Sequence, residues 1–457
     1  MNINMKFHIV GFCMFVAFIF AACDDDPASV TFPKNAETTF NYTGEYREIP
    51  LQTKGQWTAE SGVDWCKIVR AEGIGNDALV VNVMGNPTNE KRTAQISVTS
   101  NGETVSLEIS QEALPKGETL TYRLPVVFHV LYFDENDKAQ NPDAEIIYSI
   151  LEKTNLIYKE AGKSCGDLKM EFYPAPYDPK GQKLPEPGIE RVQWISPTLD
   201  AQEVMHNRER EYVHLMWEPN DYTNVLLYNF SDASLLGIST FPILPKTYPL
   251  YGLDLVEDYD YSMDNLVSFR GLSINAHYLY DSNDIFSDYV TEDMKDIVNA
   301  QNAPYVTLAH ELGHYLGLYH IFSEDFWCHS TDFCEDTETY DYKKYTDEIL
   351  QLYYGISDGS INPAEVEWLA IFNRVNCAGQ SFESHNIMDY AYSYLDELTI
   401  GQRDRIRHVL EHSPLIPGAK VRAKTKCMPD NMRPLPLRVS DGKPACILPG
   451  KNAVNTK

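Results

Sequence analysis

The stretch HELGHYLGLYH, residues 310–320, decides which fold this chain encodes, because its histidines recur at metal-ligand spacing. On an α-helix, residues four positions apart lie on one face, so His310 and His314 point to the same side. Gly317 tolerates left-handed backbone angles, which lets the helix end and the chain turn sharply. Such a turn brings His320 back toward the other two histidines. Three neutral imidazoles with an open fourth position are typical of a catalytic zinc site.

Glu311 supplies the general base that such a zinc site needs. It lies beside His310, where its carboxylate can take a proton from a water molecule at the metal. The alternative is a core helix that carries histidines by chance. The five specified positions of H-E-x-x-H-x-x-G-x-x-H arise by chance in roughly one of every 10⁴ chains of this length. The pattern therefore favours the metal site. The helix also has apolar positions that can be buried on its other face, namely Leu308, Leu312, Tyr315 and Leu316.

Length, composition and charge describe a globular, acidic protein. The chain has 457 residues, of which 43% are hydrophobic and 12% aromatic, and a formal net charge of −28. This length accommodates two or three domains with sizeable cores, and the apolar content excludes a disordered chain. The negative charge argues against nucleic acid or an anionic membrane surface as the main partner.

The N-terminal residues have the pattern of an export signal. An apolar run over residues 9–22 follows Lys6, the only Lys or Arg before it, and ends in two alanines directly before Cys23. A transmembrane anchor is the alternative, but the run is short for one and three aspartates follow Cys23 at once. The segment resembles a lipoprotein signal, which implies removal of residues 1–22, a lipid anchor on the sulfur of Cys23 and an acidic tether over residues 23–29. The aspartates after Cys23 resemble the surface-export signal of some Gram-negative lipoproteins, and a solvated tether is the alternative. The expected product is an exported lipoprotein of the outer membrane, exposed at the cell surface.

Seven cysteines remain outside the signal and the lipidation site, namely Cys66, Cys165, Cys328, Cys334, Cys377, Cys427 and Cys446. An exported chain can keep disulfides. The odd number leaves at least one thiol unpaired unless a partner supplies the second sulfur, and the pairing stays open. Cys66, within VDWCKIV, is expected to be a buried structural thiol.

Residues 30–112 have the alternating pattern of short β-strands. The pair Asn101-Gly102 predicts a hairpin between two such strands, because both residues tolerate positive φ. The pattern predicts a small all-β sandwich. The motifs WTAES, DWCKI, VMGNPTNEKRTAQISVTS and SLEISQEA resemble those of BACON domains, which implies an immunoglobulin-like sandwich with a proposed carbohydrate- or mucin-binding role. Trp57 and Trp65 suit a core as well as a sugar platform, so a spacer is the alternative.

Residues 120–415 have the pattern of an α+β domain, which follows a predicted linker over residues 113–119. RLPVVFHVLYF predicts a buried strand, NPDAEIIYSILEKTNLIYKEA a helix with an apolar stripe, and TNVLLYNF a further strand. Residues 416–457 are expected to form a C-terminal tail. The chain is therefore predicted to be multidomain, with an all-β sandwich followed by an α+β catalytic domain.

The motif at residues 310–320 is the signature of the metzincins, so the α+β domain resembles this zincin-like class of zinc peptidases. A second motif agrees: SHNIMDYAY, residues 384–392, resembles the Met-turn. The resemblance places Met388 beneath the metal as an apolar floor. It also implies that Tyr390 ligates zinc or hydrogen-bonds the reaction intermediate, and a buried structural tyrosine is the alternative.

Among metzincins, the chain resembles the pappalysin family. The motifs LPVVFHVLY, LLGISTFP, HELGHYLGLYHIF, DFCEDT, NIMDY and LTIGQRDRIRHVL occur in that family's order. LLGISTFP then places Leu236, Gly237 and Ile238 on the edge strand that pairs with an extended substrate.

The motif DFCEDT resembles a segment that binds structural calcium in the pappalysin family. The resemblance implies that Asp332 and Thr337 are calcium ligands. The chain departs from the family at Glu338, where proline is usual, and in a longer insert over residues 340–376.

Together these features predict a zinc-dependent endopeptidase that hydrolyses peptide bonds of extracellular proteins, with Glu311 as general base. Two alternatives stay open. One is a catalytically inactive surface binding or adhesion lipoprotein with a glycan-binding N-terminal module, although Glu311 and all three histidines are present. The other is a zinc amidase acting on peptidoglycan or glycopeptides, which would share the ligands but not the Met-turn.

Overall fold

A computed structural model describes residues 30–280, 282–323, 328–329, 332–390, 392–421 and 434–445. The predicted signal peptide, the lipidation site Cys23 and the acidic tether lie outside the described residues, as do Cys427 and Cys446. Among the described residues, no helix combines the length and the apolar character that crossing a membrane requires.

The N-terminal region forms two β-sheets that pack face to face. Their strands are β1 (Thr39–Phe40), β2 (Glu45–Leu51), β3 (Gln56–Ser61), β4 (Cys66–Arg70), β5 (Glu72–Ile74), β6 (Asp77–Val83), β7 (Arg92–Ser100) and β8 (Glu103–Gln111). One sheet has the order β1-β8-β7-β3-β5 and the other the order β2-β6-β4. Ile49 and Val81 from one sheet join Trp57 and Ile96 from the other in a single buried cluster. This region is therefore a β-sandwich.

Alternation of apolar and polar residues produces the sandwich core. In β7, Ala94, Ile96 and Val98 are buried, and the residues between them are exposed. The chain then turns at Asn101 and Gly102, with φ angles of 50° and 82°, and β8 pairs antiparallel with β7. The hairpin predicted from this dipeptide is confirmed.

The second region is built of strands and helices. Its strands are β9 (Tyr122–Tyr132), β10 (Met170–Pro174), β11 (Ile189–Gln193), β12 (Thr223–Tyr228), β13 (Leu235–Ser239), β14 (Ile243–Pro245), β15 (Asp254–Val256), β16 (Leu272–Asn275), β17 (Asn373–Val375), β18 (Ser381–Glu383) and β19 (Lys443–Pro444). Its α-helices are α1 (Ala144–Cys165), α2 (Ala201–His206), α3 (Glu292–Ala300), α4 (Pro304–Tyr315), α5 (Tyr342–Ser357) and α6 (Ile400–His412). The strands and the helix predicted from the first part of this region are confirmed as β9, β12 and α1.

The main sheet of this region has the order β10-β9-β12-β16-β13-β19, and β11 also pairs with β9. Strands β9, β12 and β16 run parallel, whereas β13 runs antiparallel to β16. Alternate residues of β12 point to opposite faces of the sheet. Val225 and Leu227 join the core formed with α1 and α4, and Leu226 and Tyr228 join the core formed with α2. Both faces are thus covered, which explains the continuous apolar sequence of the central strands.

Helix α1 fixes the position of α4. The hydroxyl of Thr154 donates to the carbonyl of Tyr305 at 3.1 Å, and the hydroxyl of Tyr158 donates to the carbonyl of Ala309 at 2.8 Å. These bonds lie beside the buried apolar stripe of α1. The helix that carries the histidine motif is therefore held in place by hydrogen bonds from α1.

The chain returns to the main sheet near its C-terminal end. Helix α6 begins with a capping box formed by Thr399 and Gln402, and Arg405 of this helix donates to the carbonyl of Gly317 at 3.0 and 3.2 Å. Residues 434–445 then run along β13, so that β19 is the last strand of the main sheet. Part of the segment expected to be a tail thus takes part in the sheet that carries the site.

Polar contacts join the sandwich to the second region. Lys67 forms an ion pair with Asp221, and the guanidinium of Arg70 donates to the carbonyl of Gly181 at 2.8 Å. These contacts involve neither the histidine motif nor the Met-turn residues, so the sandwich does not build the site.

Candidate active site

Helix α4 carries the first two histidines of the motif, and the turn that follows places the third. Gly317 has a φ of 90°, in the left-handed region that favours glycine. The N–H of Leu318 donates to the carbonyl of Gly313 at 2.9 Å, which closes the end of the helix. The chain then turns back, and Nε2 of His320 lies 3.0 Å from Nε2 of His314. The turn predicted from the glycine is confirmed.

Backbone carbonyls determine which nitrogen of two histidines faces the site. Nδ1 of His310 lies 3.0 Å from the carbonyl oxygen of Ile387, and Nδ1 of His314 lies 2.9 Å from that of Leu318. A carbonyl oxygen only accepts, so Nδ1 carries the proton of each neutral ring and Nε2 keeps its lone pair. This is the orientation that proteins impose on metal-binding histidines.

The three imidazoles meet in one buried cluster. One ring nitrogen from each of His310, His314 and His320 lies within 4.8 Å of the others. Nε2 of His310 is buried and has no hydrogen-bond partner among the described residues, an arrangement that is costly unless a ligand uses the lone pair. Three nitrogen donors with a further position open suit zinc, whereas calcium takes oxygen ligands. The residues present therefore fit a zinc ion.

Burial keeps the imidazoles of His310 and His320 neutral. It lowers the pKa of His310 well below the ordinary value, and the charge that a protonated His314 would carry and the positive charge of Lys443 act in the same direction. Burial also lowers the pKa of His320 to about 3, with a contribution from the charge of Lys443. Because a metal binds the neutral imidazole, protons compete little with it at neutral pH.

Glu311 lies next to the cluster and is fully buried. Burial raises the pKa of its carboxyl group to about 8, although hydrogen bonds from Lys443 and Ser440 oppose the shift. One carboxylate oxygen accepts from the N–H of Lys443 and the other from the hydroxyl of Ser440, both at 3.3 Å. A carboxyl group with a pKa near the working pH can both take up and release a proton.

Met388, which the resemblance to a Met-turn places beneath the metal, lies against α4. It is fully buried, and a side chain on Gly313 would collide with its sulfur atom. The preceding residue, Ile387, supplies the carbonyl that orients His310. The turn and the helix are therefore in close contact through a glycine, and the contact fixes one of the three histidines.

Tyr390 faces the histidines. Its ring centroid lies 4.3 Å from that of His320 and 5.4 Å from that of His310. Its hydroxyl donates to the carbonyl oxygen of Gly442 at 2.8 Å. The hydroxyl thus lies at the margin of the cluster, where it can donate to a carbonyl of a bound peptide.

Two buried residues that support Tyr390 were not predicted from the sequence. The side chains of Asp389 and Arg374 are both 0% exposed and lie 3.4 Å apart. Asp389 accepts from the N–H of Tyr390 at 2.7 Å. The position of Asp389 inside NIMDY was a usable signal, whereas Arg374 lies in the insert and had none.

The insert over residues 340–376 therefore helps to build the site. It supplies Arg374, and the hydroxyl of Tyr340 in the same insert donates to Asp389. A disulfide between Cys328 and Cys377 ties the end of the insert to the loop after the histidine motif. Cys66 is buried and unpaired, as expected of a structural thiol, and Cys165 and Cys334 are also buried free thiols.

Asp332 and Thr337, the predicted calcium ligands, lie together in one loop. The hydroxyl of Thr337 donates to Asp332, and the N–H of Cys334 donates to its other carboxylate oxygen at 3.2 Å. Across the described parts of the chain, the histidine cluster is the one group of three or more His, Cys, Asp or Glu side chains close enough to hold an ion. A calcium ion on this loop stays a prediction.

Strand β13 contains Leu236, Gly237 and Ile238, the residues predicted to pair with a substrate. The prediction that β13 is an edge strand is wrong for this structure, because one of its edges pairs with β16 and the other, here called the outer edge, pairs with β19. A side chain on Gly237 would lie 2.7 Å from Thr307 and 2.8 Å from Glu311. The strand therefore lies directly against the helix of the histidine motif, and Lys443 of β19, at the outer edge, contacts Glu311 through its N–H.

Comparison with known families identifies two segments of the chain. Residues 284–411 match the model of the M43 peptidase family, described as pregnancy-associated plasma protein-A. Residues 55–112 match the BACON family, described as an N-terminal binding domain. The resemblances to the pappalysin family and to BACON domains are thereby confirmed for these segments, and the chain contains a BACON domain followed by a peptidase domain.

Curated relatives match a short part of the chain. An extracellular metalloprotease of Arthroderma otae is 33% identical over 102 residues, which make up 22% of this chain and 29% of that protein. An extracellular metalloprotease of Arthroderma benhamiae matches with the same identity and the same coverage. The chain thus spans less than a third of the length of these relatives.

Two solved structures are similar at low identity. A Bacteroides ovatus GH5 xyloglucanase in complex with a XXXG heptasaccharide is 14% identical, with 45% of this chain and 57% of that chain covered and a TM-score of 0.19. A protein from Bacteroides thetaiotaomicron, solved by NMR, is 15% identical, with 20% of this chain and 96% of that chain covered and a TM-score of 0.16. Likenesses this low carry no conclusion about fold or ligand.

Proposed function

We propose that this chain, whose residues 284–411 match the pregnancy-associated plasma protein-A peptidase family, is a zinc-dependent endopeptidase of the metzincin class. One observation carries the proposal. The side chains of His310, His314 and His320 converge, backbone carbonyls orient two of the rings, and buried Glu311 lies beside them. The partial match to extracellular metalloproteases supports extracellular proteins as the substrates.

The side chains of the site have separate tasks in peptide hydrolysis. The three histidines would hold zinc, which when bound supplies a Lewis acid for the peptide carbonyl. Glu311 takes a proton from the attacking water onto its carboxylate and delivers it to the nitrogen of the leaving amine. Tyr390 donates its hydroxyl hydrogen bond to the carbonyl oxygen as that oxygen gains negative charge.

The outer edge of β13 is the proposed binding place of the peptide backbone. An extended peptide that adds a strand to a sheet edge gains main-chain hydrogen bonds whatever its side chains are. The antiparallel pairing of β19 with β13 supports this proposal, because it demonstrates that the edge accepts such a strand beside Glu311.

The sandwich over residues 30–112 is proposed to be a spacer and not a glycan-binding module. Trp57 is only 1% exposed and belongs to its core. The guanidinium of Arg92 lies 4.2 Å from the ring centre of Trp65 and covers that face of the ring. Trp57 therefore offers no platform on which a sugar ring could stack, and Arg92 already occupies one face of Trp65.

The place of the protein in the cell is proposed from the N-terminal sequence. Residues 1–22 would be removed and Cys23 lipidated, which gives an exported, surface-exposed lipoprotein of the outer membrane. Residues 113–119 would link the sandwich to a catalytic domain over residues 120–415. A calcium ion on the loop of Asp332 and Thr337 is proposed on the family resemblance alone.

Metal removal and restoration test the proposed function. Purified protein without residues 1–22 is expected to contain about one zinc per chain, as for a His₃ catalytic site, and to cut peptides of a proteome-derived library during long incubation. A chelator is expected to abolish the cleavage and added zinc to restore it. Fully loaded, folded protein that leaves the library intact, both as the wild type and with Gly442→Val, would contradict the proposal.

A further inference from the structure

Residues 434–445, here named the C-terminal segment, occupy the proposed place of the substrate. The segment runs antiparallel to β13, with Lys443 opposite Gly237. The N–H of Ser440 donates to the carbonyl of Ser239 at 2.8 Å. Further backbone bonds run from the N–H of Phe241 to the carbonyl of Arg438 and from the N–H of Ala445 to the carbonyl of Ser234. The segment therefore covers the outer edge of β13 along its length.

The peptide bond between Gly442 and Lys443 lies at the reactive side chains. The hydroxyl of Tyr390 donates to the carbonyl oxygen of Gly442 at 2.8 Å, and the N–H of Lys443 donates to Glu311 at 3.3 Å. In hydrolysis these two groups act on the carbonyl oxygen and the amide nitrogen of the bond that is cut. The segment thus places one of its own peptide bonds where the bond of a substrate would lie.

The backbone at Gly442 differs from that of an extended substrate. Its φ is 81°, whereas an extended strand has negative φ, and the pairing with β13 is irregular at this point. A side chain on Gly442 would lie 2.6 Å from a methyl group of Leu235 and 2.9 Å from the carbonyl oxygen of Gly237. The segment therefore lies in the space bordered by the outer edge of β13, Glu311 and Tyr390, here called the groove, without the regular geometry of a substrate. This irregular geometry suits an inhibitor better than a peptide to be cut.

Contacts on the N-terminal side of this bond fasten the segment. Arg438 forms an ion pair with Asp254 at 3.1 Å and donates to the hydroxyl of Tyr319 and the carbonyl of Gly252, both at 2.7 Å. Leu435 is buried in the core on the α2 side of the main sheet. The segment is thus packed into the folded protein by an ion pair, hydrogen bonds and a buried side chain.

We propose that the C-terminal segment is an internal, substrate-like inhibitor that keeps the peptidase latent until it is displaced. The proposal rests on the peptidase function proposed above. Because the segment is part of the same chain, its effective concentration at the groove is on the order of mM, and a dilute peptide competes poorly against it. Displacement of the segment frees the edge of β13, Glu311 and Tyr390 together.

Gly442→Val in the full chain is the direct test, because the added side chain has no space at β13 and glycine's left-handed φ is disfavoured for valine. The kcat/KM for a fluorogenic peptide is expected to rise by roughly 10-fold to 100-fold, mainly through a lower KM. Gly359→Val is the matched control. Gly359 has a φ of 78°, and no neighbouring atom lies within 4 Å of an added side chain. The Gly359→Val variant is therefore expected to have the activity of the wild type.

A second readout does not depend on catalysis. In chains that also carry Glu311→Gln, hydrogen exchange of the peptide covering residues 235–241 is expected to be faster with Gly442→Val than without it. The reason is that the N–H groups of Ser239 and Phe241 lose their partners in the segment, namely the hydroxyl of Ser440 and the carbonyl of Arg438. A synthetic peptide of residues 434–445 is expected to restore the protection.

Arg438→Ala, which removes the ion pair with Asp254, is a milder variant in case Gly442→Val does not fold. Faster exchange together with higher activity supports the proposal. Faster exchange in a protein that never hydrolyses a peptide supports occupancy of the groove and contradicts the peptidase function instead. Unchanged exchange in both folded variants, or faster exchange with unchanged activity of an active enzyme, overturns the proposal.

Discussion

Asp389→Asn tests whether the buried ion pair with Arg374 supports the site. Both side chains are 0% exposed, with a nitrogen–oxygen distance of 3.4 Å. Asparagine keeps the shape of the side chain and an acceptor oxygen for the N–H of Tyr390, but it removes the negative charge. The guanidinium of Arg374 then stays buried without its carboxylate.

The expected loss of stability depends on the contacts that Arg374 keeps in the Asp389→Asn variant. Removal of one partner of a buried ion pair costs ~3–5 kcal/mol of unfolding free energy. The Arg374 guanidinium still lies 3.5 Å from the ring centre of Tyr345 and still donates to the carbonyl of Ile371 at 2.9 Å. These contacts retain part of its stabilisation, so we expect a loss of about 3 kcal/mol, the lower end of that range.

This loss is measured by urea unfolding of the wild type and of Asp389→Asn, with circular dichroism as the signal. The control is Asp347→Asn, because Asp347 pairs with Lys343 at the surface, where the two side chains are 53% and 51% exposed. That exposed pair is expected to contribute less than about 0.5 kcal/mol. If Asp389→Asn costs no more than the control, the buried pair does not stabilise the Met-turn and the reasoning is refuted.

Two further predictions concern the hydroxyl group of Tyr390 and the proposed lipid anchor on Cys23. Tyr390→Phe is expected to lower kcat by roughly 10²-fold with a much smaller effect on KM, as for a single donor to an oxyanion, and to leave the zinc content unchanged. Loss of zinc would make Tyr390 a metal ligand, and near-normal turnover would make it a packing residue. Cys23→Ala is expected to release the protein from membranes into the soluble fraction, since the lipid is the only proposed attachment; a variant that stays with the membranes after fractionation would exclude the lipid anchor.

Local features of the sequence predicted much of this architecture. The hairpin at Asn101 and Gly102 and the turn at Gly317 depend on backbone angles that few residues adopt, so the residue types alone indicate them. The spacing of the histidines in the motif places them together as soon as α4 and its turn form. Such features need no knowledge of distant parts of the chain.

Long-range contacts in the site were not predictable in this way. Arg374 reaches Asp389 from an insert, and nothing near Arg374 in the sequence marks it as a buried partner. The segment over residues 434–445 carries proline and charged residues typical of a surface tail, yet it pairs with β13 about two hundred positions earlier, as the distance between Ser440 and Ser239 in the sequence shows. Its pairing depends on a free strand edge, which only the assembled sheet provides.

The central claim is that the histidine cluster and Glu311 form a zinc-dependent peptidase site. Zinc content and cleavage of a peptide library, both measured on wild-type protein and on Glu311→Ala, test it most directly. The account predicts about one zinc per chain in both proteins and cleavage only by the wild type, because the variant keeps the histidines and loses the proton carrier. Equal cleavage by the two proteins, or a folded wild type that binds no zinc, would contradict it.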